Sequence, residues 1–189
     1  CQMRGPDSTG TLPKRRLGKM RHAHTRTLLE YRKSRREGAA APQRADIAPQ
    51  DLSDFLGQLF ILKRIDSGHH VFRLAGTRLC ALYQREFRDQ NFLSLWRGHD
   101  GEHVKALLEG AIHRVSPAAA SARAIAIDGR TVNIELAFLP LRGQEGQIDR
   151  ILGLYQPLDD PEWLHGRPVV RTELCEARPA ASPEPFNLR

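Results

Sequence analysis

The sequence predicts an α+β domain, and three observations carry that reading. Residues 59–65 and 69–75 are two runs of strand-forming residues joined by Asp66-Ser67-Gly68, which reads as a hairpin. Val104, Leu107, Leu108, Ala111, Ile112 and Val115 fall at i, +3, +4, +7, +8 and +11, a continuous apolar stripe along one helix. After the turn signal Asp128-Gly129, Val132, Ile134, Leu136 and Phe138 alternate with Asn133 and Glu135, the period of a half-buried strand.

The elements follow in order. Residues 1–20 hold Gly, Pro, Ser, Thr and basic residues without apolar periodicity and are expected to be a disordered arm. Residues 21–37 predict a flanking helix with Leu28, Leu29 and Tyr31 on one stripe, ended by Gly38. The domain is expected over 38–160. It begins with a two-proline linker, and Asp51 is positioned to cap a turn through Phe55 and Leu56. Phe72 and Leu74 lie on the second strand, Gly76 turns the chain, and Thr77 is the N-cap candidate for a helix carrying Leu79, Leu82 and Tyr83. Asn91 caps a second short helix with Phe92, Leu95 and Trp96. The long helix starts at Asp100 and stops at Ser116-Pro117. Three strands close the order, the last over 151–158. Prolines and polar residues from Pro161 onward predict a C-terminal tail, 161–189, that is largely disordered.

Composition narrows the function classes. Residues 1–37 hold 11 Lys or Arg against 3 Asp or Glu, a net +8, whereas residues 38–189 hold 18 against 19, a net −1. The basic character belongs to the arm, so any polyanion binding there would be salt-sensitive, and nucleic acid is not expected as a partner of the domain. No apolar run is long enough to span a bilayer and no secretory h-region is present, which predicts a cytoplasmic protein. Cys1, Cys80 and Cys175 are scattered, which fits a reducing compartment and neither a disulfide framework nor a zinc site.

The stretch from His70 to Trp96 resembles the PAS sensory domain, and most closely the bacterial PAS family 5. The F-R-x-x-G-T signature stands here as Phe72, Arg73, Gly76 and Thr77, and the P-x-R-x-D-I-x-P run as Pro42, Arg44, Asp46, Ile47 and Pro49. Two glycines of the pattern are replaced, one by Gln84 and one at Asp89 or Gln90. The resemblance covers roughly residues 25–160. It implies an antiparallel sheet of about five strands with helices on one face, a sensory or regulatory role through other signalling proteins, and Met20 as a natural start. It also raises a small-ligand cavity between helices and sheet. Phe72, Leu74, Tyr83, Phe92, Trp96, Leu107, Ala111, Ile134 and Leu136 are expected to face inward there, lining either that pocket or a packed core.

No catalytic constellation is present: no G-x-S-x-G elbow, Walker A loop, H-E-x-x-H or dinucleotide glycine fingerprint. His22 with His24 and His99 with His103 lack a third ligand at motif spacing, so solvated histidines are the simpler reading. His103 and His113 sit off the helix stripe, unsuited to haem, and Cys80 is out of context for a flavin adduct, so a colourless protein without cofactor is expected. Arg32 and Arg36 form an R-x-x-x-R that resembles the cyclic-di-GMP motif of PilZ domains, with Asp51 to Gly57 as an imperfect companion. The flanking helix is too weakly apolar to stand alone. It is expected to dock on the second sheet face, where Ala137 and Leu139 lie, within its own chain or across the two-fold axis of a homodimer through residues 21–36.

Overall fold

The computed structural model describes residues 22–34 and 41–178. The arm (1–20), Arg36, Gly38 and the chain beyond residue 178 lie outside the described residues. Six strands form one sheet: β1 (Leu59–Asp66), β2 (His69–Ala75), β3 (Ala118–Ala126), β4 (Thr131–Arg142), β5 (Ile148–Pro157) and β6 (Val169–Arg178). Their order is β2-β1-β5-β4-β3-β6, and every neighbouring pair is antiparallel. The expected antiparallel sheet with helices is therefore present, with one strand more than the sequence predicts. The extra strand lies in the segment expected to be disordered. Residues 161–178 instead form a 3-10 turn, Pro161–Leu164, and β6, which pairs with β3 from Ala119↔Arg178 to Ala126↔Val169.

Each face of the sheet has its own core. On the inner face, Val132, Ile134, Leu136 and Phe138 of β4 meet α2 (Thr77–Tyr83), the Phe92–Leu95 turn and α3 (His99–His113). On the outer face, Ala137, Leu139 and Leu154 meet Leu52 and Phe55 of the Pro49–Gln58 turn and Leu28 of α1 (Ala23–Ser34). The period of two in β4 feeds both cores at once, because nearly every β4 residue is buried. Helices thus cover both faces, and α1 packs on the sheet of its own chain.

α1 is held at both ends. His22 Nδ1 accepts from the His24 amide (3.1 Å), His24 Nδ1 lies 2.9 Å from Gln156 Oε1, and the His24 ring stacks on Phe55. At the other end the Arg32 guanidinium donates to the Val115 carbonyl (2.8 Å).

Three local expectations are corrected. Leu74 is 42% exposed rather than inward. Ile61 pairs with Leu74 but Leu62 pairs with Phe72, so Arg73 is a one-residue bulge that turns Leu74 to the opposite face. Gly76, not Thr77, is the N-cap of α2, with φ −67°. The glycine is required by close approach, since a Cβ there would overlap the Gly57 carbonyl. Val115 follows the helix instead of joining its stripe and takes a left-handed φ of 50°.

Candidate functional site

Of the nine inward candidates, Phe72, Tyr83, Phe92, Trp96, Leu107, Ala111, Ile134 and Leu136 are buried in the inner core, and Leu74 is not. Their neighbours explain what fills the space between helices and sheet. The Phe60 ring stacks on Phe92 at 5.2 Å and meets Phe72 and Phe138 edge-on at 5.8 and 6.3 Å; Phe72 also packs on Phe87 at 4.9 Å. Phe60 reaches the middle of the sheet because Gly153 lies beneath it, where a Cβ would overlap ring atoms Cζ and Cε2. These rings are in mutual contact, at distances that favour aromatic pairs.

At one end of this core three hydroxyls meet out of water. Tyr83 Oη lies 2.9 Å from Tyr155 Oη and 2.5 Å from Thr172 Oγ1, joining α2, β5 and β6. Burial pushes both phenols above their ordinary range, so they stay protonated and serve as hydrogen-bond partners rather than bases. β6 is further fixed where the Leu174 amide donates to Asp100 Oδ2 (2.9 Å) and Thr172 bridges Trp96.

Beside the hydroxyls a cleft of about 410 Å³ opens between α2, the end of β5 and the Pro161–Leu164 turn. Leu79, Leu82, Leu164 and Tyr155 are among its lining residues. Its far end is closed where Gln84 Nε2 donates to the Gly166 carbonyl (2.5 Å). Arg78 stands on the rim. Its stem lies over Gly57, where a Cβ would come within 2.8 Å of Arg78 Cγ. With the Gln58 amide turned so that its nitrogen donates to Phe55 O, its oxygen accepts from Arg78 Nη1 at 3.1 Å. This cleft was not legible as a site, since it gathers residues from three distant segments. The one sequence signal is the apolar Leu164 within the segment expected to be a tail.

The family-motif residues are placed in structural roles. The Pro42 carbonyl accepts from the Arg142 amide (3.0 Å), Asp46 Oδ2 accepts from the Gln43 amide across Arg44 (2.8 Å), and Pro49 opens its 3-10 turn. Arg73 pairs with Asp89 at 2.5 Å. Gln84, and Asp89 of the Asp89-Gln90 pair where the second glycine is expected, have φ of 53° and 61°, the left-handed region that favours glycine.

Other candidates fall differently. Arg32 is buried and engaged with Val115, which removes it from a surface phosphate grip. His103 and His113 are exposed on α3, and among the described residues no three His, Cys, Asp or Glu side chains converge on a metal-sized space. Burial and nearby Glu86 push the Cys80 thiol up, away from a reactive thiolate. The sequence reading missed His70. It is fully buried, with Nε2 2.9 Å from Glu109 Oε1 in a close approach rather than an aligned hydrogen bond. Arg64 holds the same carboxylate in a two-pronged bond at 2.8 and 2.9 Å, tying β1 and β2 to α3. Among the described residues no helix is long and apolar enough to cross a membrane.

A family model described as PAS domain matches residues 20–156. No curated protein matches the chain. Solved structures that it resembles include a light-oxygen-voltage domain studied with a flavin analogue, at 15% identity over 59% of this chain and 84% of that one, TM-score 0.47. Others are a Rhodobacter sphaeroides LOV protein (16% identity, 53% and 58% coverage, TM-score 0.42) and a PAS domain from Colwellia psychrerythraea (19%, 58% and 94%, TM-score 0.44).

Proposed function

The chain belongs to the PAS domain family, and from that premise we propose that it is a non-enzymatic sensory and regulatory module of bacterial signalling, working in the cytoplasm through contacts with other proteins. The observation that supports this reading is the placement of the two segments that flank the sheet. α1 lies on the outer face with one fully buried apolar side chain, Leu28, beside buried Thr25 and Arg32, and with Leu29 and Tyr31 half-buried. β6 lies at the edge and buries only Val169 and Thr172 among ten residues. Each has a small apolar contact for its length, so each opens at lower cost than the strands between them. Opening either one bares a surface that a partner can take.

A second copy of the chain is the simplest partner for the surface under α1. Leu28 on one side and Ala137, Leu139 and Leu154 on the other can close between two chains as they close within one, and a two-fold axis satisfies both at once.

Hydrogen exchange followed by mass spectrometry tests the regulatory reading. Amides of α1 and β6 should exchange through separate, low-energy openings while β4 and β5 remain protected. Exchange of all four only through global unfolding would overturn it.

A further inference from the structure

From the cleft beside α2 we infer a binding site for a small amphipathic monoanion, an unbranched aliphatic carboxylate of medium length. The inference rests on the sensory reading only for its purpose; the binding itself is a property of the cleft.

The volume, about 410 Å³, falls within the range of small-molecule sites. Its apolar lining comes from Leu79 and Leu82 of α2, Leu164 of the turn, and Tyr155. The Tyr155 hydroxyl is already bonded to Tyr83 at 2.9 Å and points its hydrogen-bonding capacity away from a ligand. An apolar chain laid there loses water without stranding a polar group.

The rim supplies one prepared charge. Arg78 is held by Gly57 below its stem and by Gln58 at Nη1, and among the described residues it has no carboxylate partner. A guanidinium that keeps its position without a counter-ion has donors to offer and little side-chain entropy left to lose. The rim carboxylates do not compete for it. Asp159 accepts from the Asn133 amide and side chain, both at 2.8 Å. Glu162 is exposed, and no bond of its carboxylate fixes it among the described residues. Arg167, also on the rim, lies 3.9 Å from Asp128 and is drawn toward it, which leaves Arg78, among the described residues, as the cation facing the cleft without a carboxylate partner. An anionic head on Arg78 with an apolar tail over the leucines fits this arrangement, and the rim carboxylates Asp159 and Glu162 disfavour a second negative charge.

Isothermal titration of the full-length protein with decanoate, decanol, decylamine and butyrate tests the site. Decanoate should bind tightest. Arg78→Gln should weaken decanoate about tenfold or more, the loss of a charge-assisted hydrogen bond, and leave decanol unchanged. Leu82→Asp should abolish both. Arg78→Lys, which keeps the charge but loses the fork, should fall between. Equal affinity for decylamine, or decanoate binding that survives both Arg78→Gln and Leu82→Asp in proteins with unchanged circular dichroism, would overturn the proposal. So would no binding of any of the four. Tighter binding of a peptide ending in leucine than of decanoate would assign the cleft to a protein terminus instead. If the cleft fails while α1 and β6 still open separately in exchange, the regulatory reading stands without this ligand.

Discussion

Gly153→Ala should be among the most damaging single-atom additions in the domain. The new methyl would overlap Cζ and Cε2 of Phe60. Phe60 is fully buried and packs against Phe72, Phe92 and Phe138, so it has no direction in which to yield. Overpacking of this kind costs about 1–3 kcal/mol. Displacing the ring also strains three aromatic pairs, each worth roughly 0.5–1.5 kcal/mol. Replacing a strand glycine returns about 0.5–1 kcal/mol by restricting the unfolded chain. The net expectation from these terms is a loss of about 2–7 kcal/mol, which lowers a urea midpoint by roughly 1–3.5 M at a slope near 2 kcal/mol/M. A double-mutant cycle with Phe60→Ala separates packing from backbone effects. Phe60→Ala alone should cost about 3–5 kcal/mol, and in that background Gly153→Ala should cost almost nothing. A coupling energy within about 0.5 kcal/mol of zero would refute the packing account.

Thr172→Val keeps the shape but removes the hydroxyl shared by Tyr83 and Tyr155. It should cost about 1–2 kcal/mol and speed exchange selectively at Val169–Arg178, read by hydrogen exchange. Acid should destabilise the fold through His70. Burial, the leading cause, holds its pKa below the ordinary 6.5, so the unfolded chain takes up the proton first as pH falls. That stability is present above about pH 6.5 and lost below it, and His70→Leu should flatten the slope of urea stability between about pH 7.5 and 5.5. Glu109, drawn down by the Arg64 hydrogen bonds despite its burial, adds a second loss only below its ordinary 4.5. Sedimentation decides the assembly: a dimer that becomes a folded monomer in Leu28→Asp supports exchange of α1 between copies, and a monomeric full-length protein at micromolar concentration excludes it.

How far the fold could be read depended on how many residues each element commits to a core. The α3 stripe and the β4 alternation were legible because five and four side chains, respectively, enter the inner core at a fixed period. The docking face of α1 followed from the odd positions of β4. Leu74 was misread because a single bulge residue, Arg73, reverses every later position on β2, and nothing local announces it. β6 escaped because Val169-Val170-Arg171-Thr172-Glu173-Leu174 turns only every second or third residue inward and carries its own irregularity at Val170. The pairing of His70 with Glu109, thirty-nine positions apart, and the meeting of Gly57, Arg78 and Leu164 are products of chain crossing, which no local period records. The replaced glycines are a middle case: their absence is visible in the sequence, while the left-handed backbone at Gln84 and Asp89 is not.

β6 alters where this molecule ends as a physical object. The family match stops at residue 156, yet the Thr172 hydroxyl closes a bond between α2 and β5, both inside that boundary. Cutting the chain at the boundary would leave β3 with a row of unpaired amides and carbonyls, set in a strand whose residues are mostly alanine. Such an edge is flat, lightly charged and open to the same strand from another molecule. Arg123 is its one charged side chain. In the whole chain β6 occupies that edge and presents Arg171, Glu173 and Glu176 on the outside instead. The last strand therefore acts as an internal guard against fibre-like self-pairing. The sheet of this protein extends to residue 178, past residue 156 where the family match stops.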